Sequence, residues 1–350
     1  MRILWDLRLF SLGYGSRGIG TYVNRFTKAF MDHADDFEIV IWGRRGDLPE
    51  FLKEHEIIDY RQGSWKNDLI GIPALLVKNR IDLIHYWVAC GPVWRIGLGI
   101  ANVCRTVCTV YDMGVQYWDV PYLGAVRESV YWKTQKVLVR KINRVICISN
   151  ATRSDLVKTI PSVGEKTEVL YVPFCTERVG CVSREPYFVT LGGSPHKNLG
   201  RVVEAFCRFR HEHTLYRLKI CGQYDKCELP EGDLSGVDFV EMKRYPQLLK
   251  KASGLVYCSL YEGLGLPPLE AMEAGCPLLL SKIPALEETC AGAGVFVDPA
   301  RVPDIQNGMM QIAGNVGFWS AMCAEGGQKY RQLSGVSVQR LADIYRKVGS

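Results

Sequence analysis

The chain has 350 residues, of which 47% are apolar and 23% charged, enough apolar material for two domains with a core each. Its formal net charge is +6 at pH 7, yet no nucleic-acid reading motif accompanies the basic residues, and no apolar run reaches the roughly 18 to 20 residues that would span a bilayer. Thirteen cysteines are scattered without a C-x-x-C pair, several inside apolar runs, so reduced buried thiols are expected rather than a disulfide frame.

Met1-Arg2-Ile3-Leu4-Trp5-Asp6 lacks the small-residue cleavage site of a signal peptide and reads as a first strand, which predicts a cytoplasmic protein. Strand patterns recur at 37–43, 82–86, 106–111 and 144–149, with helical patterns at 20–31, 126–141 and 151–159. Between the first strand and the first helix, Gly13-Tyr14-Gly15-Ser16-Arg17-Gly18-Ile19-Gly20 contains G-x-G-x-x-G. A dinucleotide fingerprint normally starts at the end of the strand, whereas Leu7 to Leu12 intervene here, and no acidic residue closes the second strand. Arg44 and Arg45 after that strand keep an NADP enzyme open as an alternative; the favoured reading makes Gly18 and Gly20 a glycine-rich lead-in to a helix, where a phosphate meets backbone N–H groups. His85 follows the third strand and reads either as a satisfied structural histidine or as part of a pocket. Ser149 is placed to cap the helix that follows it. The 126–141 stretch interleaves basic and apolar residues, fitting either a packed helix with a solvated face or peripheral contact with an anionic membrane.

Residues 173–186 show no periodicity and read as a linker between an N-terminal acceptor-side domain, 1–172, and a second domain, 187–330. Strand patterns begin again at 187–192, 216–222, 237–239, 254–259 and 277–281, so two doubly wound α/β domains with parallel sheets are expected. Helical residues 336–348, within a final segment 331–350, are expected to pack back towards the N-terminal domain. After the first strand of the second half, Gly192-Gly193-Ser194-Pro195-His196-Lys197-Asn198 delivers a lysine to the sheet edge, with Asn198 as the expected cap of the next helix. The most telling stretch surrounds Glu262 and Glu270, eight positions apart about a Gly/Pro-rich turn. Gly263 and Gly265 admit conformations closed to other residues, Pro267 or Pro268 suits a first helical turn, and a helix N-terminus facing the turn favours an anion. Carboxylates on either side would accept hydrogen bonds from hydroxyls, which describes a sugar joined through diphosphate to a ribose.

The run from Tyr261 to Pro277 resembles the E-x7-E signature of the retaining glycosyltransferases of family GT4, which have the GT-B architecture of two Rossmann-like domains facing a central cleft. Gly18-Ile19-Gly20 is similar to that family's N-terminal glycine-rich loop, Val107 to Asp112 to its segment ending in His-Asp, and Gly192 to Asn198 to its Gly-x-x-x-Pro-Arg-Lys-Asn segment. The resemblance implies transfer of a sugar, mannose or another hexose, from a nucleoside diphosphate to an acceptor hydroxyl with retention, in the assembly of cell-surface polysaccharide or glycolipid. It implies donor contacts from Gly18, Gly20, Gly193, Lys197, Glu262, Gly263, Leu264, Gly265, Leu266 and Glu270, with Lys197, Glu262 and Asp112 as the catalytic set. The acceptor-side or sugar pocket would hold Tyr111, Asp112 and His85. No cofactor and no metal are implied; the partners are the nucleotide sugar and a glycan or lipid-linked acceptor. The chain departs from the family at Tyr111, where histidine is usual, and at Gly193 and His196, where arginine is frequent. A nucleotide-sugar epimerase of the same architecture and a non-catalytic nucleotide-sugar-binding protein remain as alternatives.

Overall fold

The computed structural model describes residues 1–15, 18–31, 36–59, 65–87, 103–114, 136–137, 139–174, 183–224 and 229–349. They form two compact units, Met1–Pro173 with Ser334–Ser350, and Phe174–Leu333. Arg17, most of the basic stretch 126–141 and residues 175–182 of the expected linker lie outside the described residues.

In the first unit, strands β1 (Arg2–Asp6), β2 (Glu38–Gly43), β3 (Glu56–Asp59), β4 (Leu83–Tyr86), β5 (Arg105–Val110), β6 (Arg144–Cys147) and β7 (Thr167–Val169) form one sheet in the order β3-β2-β1-β4-β5-β6-β7, parallel throughout. The central strands read as unbroken apolar runs because helices cover both faces of a parallel sheet, and Ile3, Leu4 and Trp5 are wholly buried. The edge strands β3 and β7 carry no such run and escape sequence reading. Arg2 compensates at the rim by pairing with Glu38 of β2 and with Glu56 of β3, the latter at 2.6 Å. The helix Gly18–Met31 starts two residues ahead of the sequence expectation. It lays Tyr22, Phe26 and Phe30 against the sheet, where Phe30 meets Trp5 edge to face at 5.5 Å between ring centroids.

The helix Ser337–Gly349 closes the core of this unit. Its buried Tyr345 accepts a hydrogen bond from Trp5 Nε1 at 3.0 Å and lies 2.6 Å from His85 Nδ1. With the phenol proton directed at Nδ1, the imidazole carries its own proton on Nε2, which sits 2.9 Å from Thr109 Oγ1.

The second unit repeats the plan with β8 (Glu185–Leu191), β9 (Arg217–Cys221), β10 (Val237–Val240), β11 (Ala252–Tyr257), β12 (Leu278–Ser281) and β13 (Gly294–Val297), ordered β10-β9-β8-β11-β12-β13 and again parallel. Phe188, Phe206, Phe209, Val256, Leu279 and Met309 belong to its core, each large apolar side chain contributing about 1.5 to 3 kcal/mol on burial. Strand order reverses between β8 and β11, and the loops leaving the carboxyl ends of these two strands carry Lys197 and Glu262. A reversal of this kind opens a crevice in a doubly wound sheet. Among the described residues no helix is long and apolar enough to cross a membrane.

Candidate functional site

Two loops of the second unit meet above the switch point. The first leaves β8 through Gly192 and Gly193. A Cβ on Gly192 would stand 2.2 Å from the carbonyl oxygen of Gln223, so only glycine lets these backbones approach; Gly193, at φ +142°, faces open space. A 3-10 turn, Pro195–Lys197, then presents the lysine. Asn198, expected to cap the following helix Leu199–Arg210, makes no side-chain cap bond. Its backbone is left-handed, φ 61° and ψ 34°, which turns the amide instead towards the carbonyl oxygens of Cys258 at 3.0 Å and Pro299 at 2.7 Å. Asn198 thus fastens the lysine turn to the end of β11, and the backbone N–H of Leu260 donates to the carbonyl of His196 at 2.8 Å to complete the junction.

Lys197 Nζ reaches Glu262 Oε1 at 2.7 Å and the hydroxyl of Tyr257 at 2.6 Å, and Tyr257 itself donates to Glu262 Oε1 at 2.6 Å. The three side chains close a ring of hydrogen bonds. Only 20% of the lysine side chain and 12% of the glutamate remain exposed. Burial raises the Glu262 carboxyl, but the Lys197 charge and the bonds from Lys197 and Tyr257 outweigh it and hold the group below the usual carboxylate range. Burial, followed by the Glu262 charge, pushes the Tyr257 phenol well above its ordinary value, so it stays protonated as a donor. Burial and then the Lys197 ammonium lower His196, which makes it a neutral imidazole at pH 7 rather than the second cation that an arginine would supply. Sequence reasoning missed Tyr257; the available signal was a phenol at the inward end of a predicted strand, five residues before Glu262.

Past Glu262 the chain turns through Gly263 and Leu264 to Gly265, whose φ of +92° is open to glycine and where a Cβ would lie 2.4 Å from Leu286 Cδ2. Leu266–Glu273 follows as a helix with prolines in its first turn, where their missing N–H costs nothing. Thr289 Oγ1 donates to Leu264 O at 3.0 Å and the Tyr245 hydroxyl to Pro267 O at 3.2 Å, which hold the turn from two sides. The N–H groups of Leu264, Gly265 and Leu266 find no acceptor among the described residues. Three backbone donors at a positive helix end, beside an ammonium, form a seat for an anion. Glu270 is half-buried one turn further on, near enough for its charge to act on the Tyr245 phenol.

In the first unit, Tyr111 and Asp112 follow β5 directly. Tyr111 is buried, packs edge to face on Tyr22 at 5.3 Å, and its hydroxyl finds no hydrogen-bond partner among the described residues. Burial, then the Tyr22 phenol, drives its ionisation far upward, so it cannot serve as a base. Asp112 is half-buried and accepts from Gly114 N at 2.9 Å. Ser149 is the helix cap expected of it, accepting from Thr152 N at 3.0 Å. His85 takes the structural of its two readings: it lies wholly buried inside β4, both ring nitrogens are engaged, and Trp87 stacks on it at 4.1 Å, so no nitrogen is left for a pocket. At Gly20 a Cβ would meet the carbonyl oxygens of Gly15 at 2.3 Å and Tyr14 at 2.5 Å, so the absent side chain admits the preceding loop.

Residues 16–178 match the family model for glycosyltransferase family 4, and residues 181–315 match that for glycosyl transferases group 1. The chain is 28% identical over 239 residues to the O-antigen chain mannosyltransferase RfbU of Salmonella typhimurium, covering 61% of this chain and 65% of that protein. It is 33% identical over 303 residues to the serotype-specific mannosyltransferase WbdA of Escherichia coli, covering 77% of this chain and 37% of that one. The chain therefore spans less than two thirds of these relatives' own lengths. Among solved structures, HepE of Anabaena, in complex with UDP and glucose, superposes with a TM-score of 0.76 at 15% identity, covering 99% of this chain and all of the other. Sucrose-phosphate synthase of Thermosynechococcus elongatus superposes with a TM-score of 0.75 at 18% identity over 99% and 98% of the two chains. With family models matched in tandem along both units and the doubly wound plan repeated in each, the chain belongs to the GT4-type glycosyl transferases group 1, of GT-B fold.

Proposed function

We propose that the protein transfers a hexose, with mannose the first candidate, from a nucleoside diphosphate to a hydroxyl of a glycan or lipid-linked acceptor, with retention and without a metal. The observation that carries this reading is the Lys197 ammonium, held on Glu262, at the turn whose Leu264, Gly265 and Leu266 N–H groups find no acceptor among the described residues. The mannose assignment follows the names of the relatives. As the bond from the anomeric carbon to the phosphate oxygen breaks, charge gathers on the leaving diphosphate, where these donors meet it. The acceptor oxygen bonds to the anomeric carbon from the same face, and its proton passes to a departing phosphate oxygen. The buried neutral phenol at Tyr111, in place of the histidine of the His-Asp segment it resembles, suits a reaction in which phosphate is the base. Glu262, through its second oxygen, and Glu270 would hold sugar and ribose hydroxyls.

Incubation with UDP-, GDP-, ADP- and dTDP-hexoses and a glycan acceptor, with the product's anomeric configuration read by NMR, tests this. An unchanged anomer and activity in excess EDTA are expected. An inverted anomer, or chelated enzyme rescued by manganese, refutes the mechanism. Ribose hydroxyls are bound alike in ground and transition states, so Glu270→Gln should raise the donor KM about tenfold with little change in kcat. A donor KM equal to the parent's would remove Glu270 from the ribose.

A further inference from the structure

We infer that Tyr257 is a positioning residue that releases Lys197 from Glu262 to the donor diphosphate by remaining as the carboxylate's hydrogen-bond partner. The inference rests on the diphosphate reading of this site. Without a ligand, Glu262 Oε1 receives two bonds, from Lys197 at 2.7 Å and from Tyr257 at 2.6 Å. A buried carboxylate stripped of its only donor is costly, and a lysine that is that only donor is held in place by the same cost. The phenol removes the dilemma. It sits at the carboxyl end of β11, fully buried, with its ring also beneath the ammonium, Nζ lying 4.8 Å from the centroid. When Lys197 moves to a phosphate oxygen, the bond from Tyr257 to Glu262 stays, and the Tyr257 oxygen loses one incoming bond but keeps its proton. No proton changes owner, so the exchange needs only a movement of the lysine, whose flexible stem and three donors permit it.

Tyr257→Phe keeps the ring and deletes the hydroxyl. Of the two bonds to Glu262 Oε1 only that from Lys197 then remains, and kcat/KM for the donor should fall about tenfold. Affinity for the free nucleoside, which has no phosphate, should be unchanged. The decisive comparison is a mutant cycle. In a Lys197→Ala, Glu262→Gln background there is neither a lysine to release nor a carboxylate to strand, so adding Tyr257→Phe should change kcat/KM by less than about twofold. The thermal unfolding midpoint of each variant is measured alongside; a general loss of packing would lower nucleoside affinity and would act in both backgrounds alike. If Tyr257→Phe matches the parent, or costs the same factor in both backgrounds, the release role is wrong while the donor-site reading stands. If the parent binds and turns over no nucleotide sugar, the donor-site reading fails first and takes this inference with it.

Discussion

Replacing Lys197 by alanine is expected to lower kcat by about 10² to 10³, the equivalent of about 2.7 to 4 kcal/mol in the barrier, with a much smaller effect on donor binding. The asymmetry follows from where the charge is needed. In the proposed mechanism ground-state diphosphate is met by the N–H groups of Leu264, Gly265 and Leu266, whereas the extra negative charge of the departing group appears only as the sugar leaves. The substitution also deprives Glu262, which is 12% exposed, of its cationic partner, leaving the bond from Tyr257 to its Oε1 without the lysine's charge. Some loss of stability therefore accompanies the loss of rate. Adding Glu262→Gln to the alanine variant neutralises the stranded group, and the unfolding midpoint should recover while turnover does not. Steady-state rates and thermal unfolding of the two variants separate the effects. A lysine-free enzyme with the parent's kcat would exclude Lys197 from the mechanism.

The second large effect lies in the pH dependence of stability. Burial lowers the His85 imidazole from 6.5 to about 3, since its nitrogens are already committed to Tyr345 and Thr109 and no carboxylate offsets a charge there. The folded value is depressed, so the unfolded chain takes up a proton below pH 6.5 that the native protein refuses. The stabilising contribution is complete above pH 6.5 and is lost as the pH falls towards 3. At full extent it is on the order of 5 kcal/mol. His85→Phe cannot titrate but leaves Thr109 Oγ1 without its ring partner, at a cost of about 2 kcal/mol at pH 7.5. The two stability curves should therefore cross, with the variant less stable at pH 7.5 and more stable near pH 4. Denaturant unfolding followed by tryptophan fluorescence reports on this core directly, because Trp5 and Trp87 pack around the histidine. Parallel curves for parent and variant would mean that His85 titrates normally in the folded protein.

Much of this architecture is legible along the chain. Apolar runs at 1–6, 82–86 and 106–111 announce buried parallel strands, since a strand covered on both faces cannot alternate with polar residues. Glycine at 265 with prolines at 267 and 268 announces the left-handed turn and the helix after it, because φ preferences are local properties of a few residues. Lys197, Glu262 and Glu270 could be named from such signals. Short edge strands such as Thr167–Val169 could not, for their stability comes from a neighbour rather than from their own composition. Asn198 shows the limit of local reasoning: its sequence position suits a cap, but the left-handed backbone aims its amide at carbonyls 60 and 101 residues away. His85 reads along the chain as either a structural or a pocket histidine, and Tyr345, 260 residues later, decides for the first by lying against its Nδ1. The sequence by itself thus determined the strand order's raw material, the glycine- and proline-rich turn and the identity of its charged residues. Only the tertiary structure decided which buried polar atoms are already satisfied, and that Tyr257 joins Lys197 and Glu262 in one ring of hydrogen bonds. Hydrogen-bond satisfaction in a core depends on partners brought together from distant parts of the chain, and no local pattern encodes them.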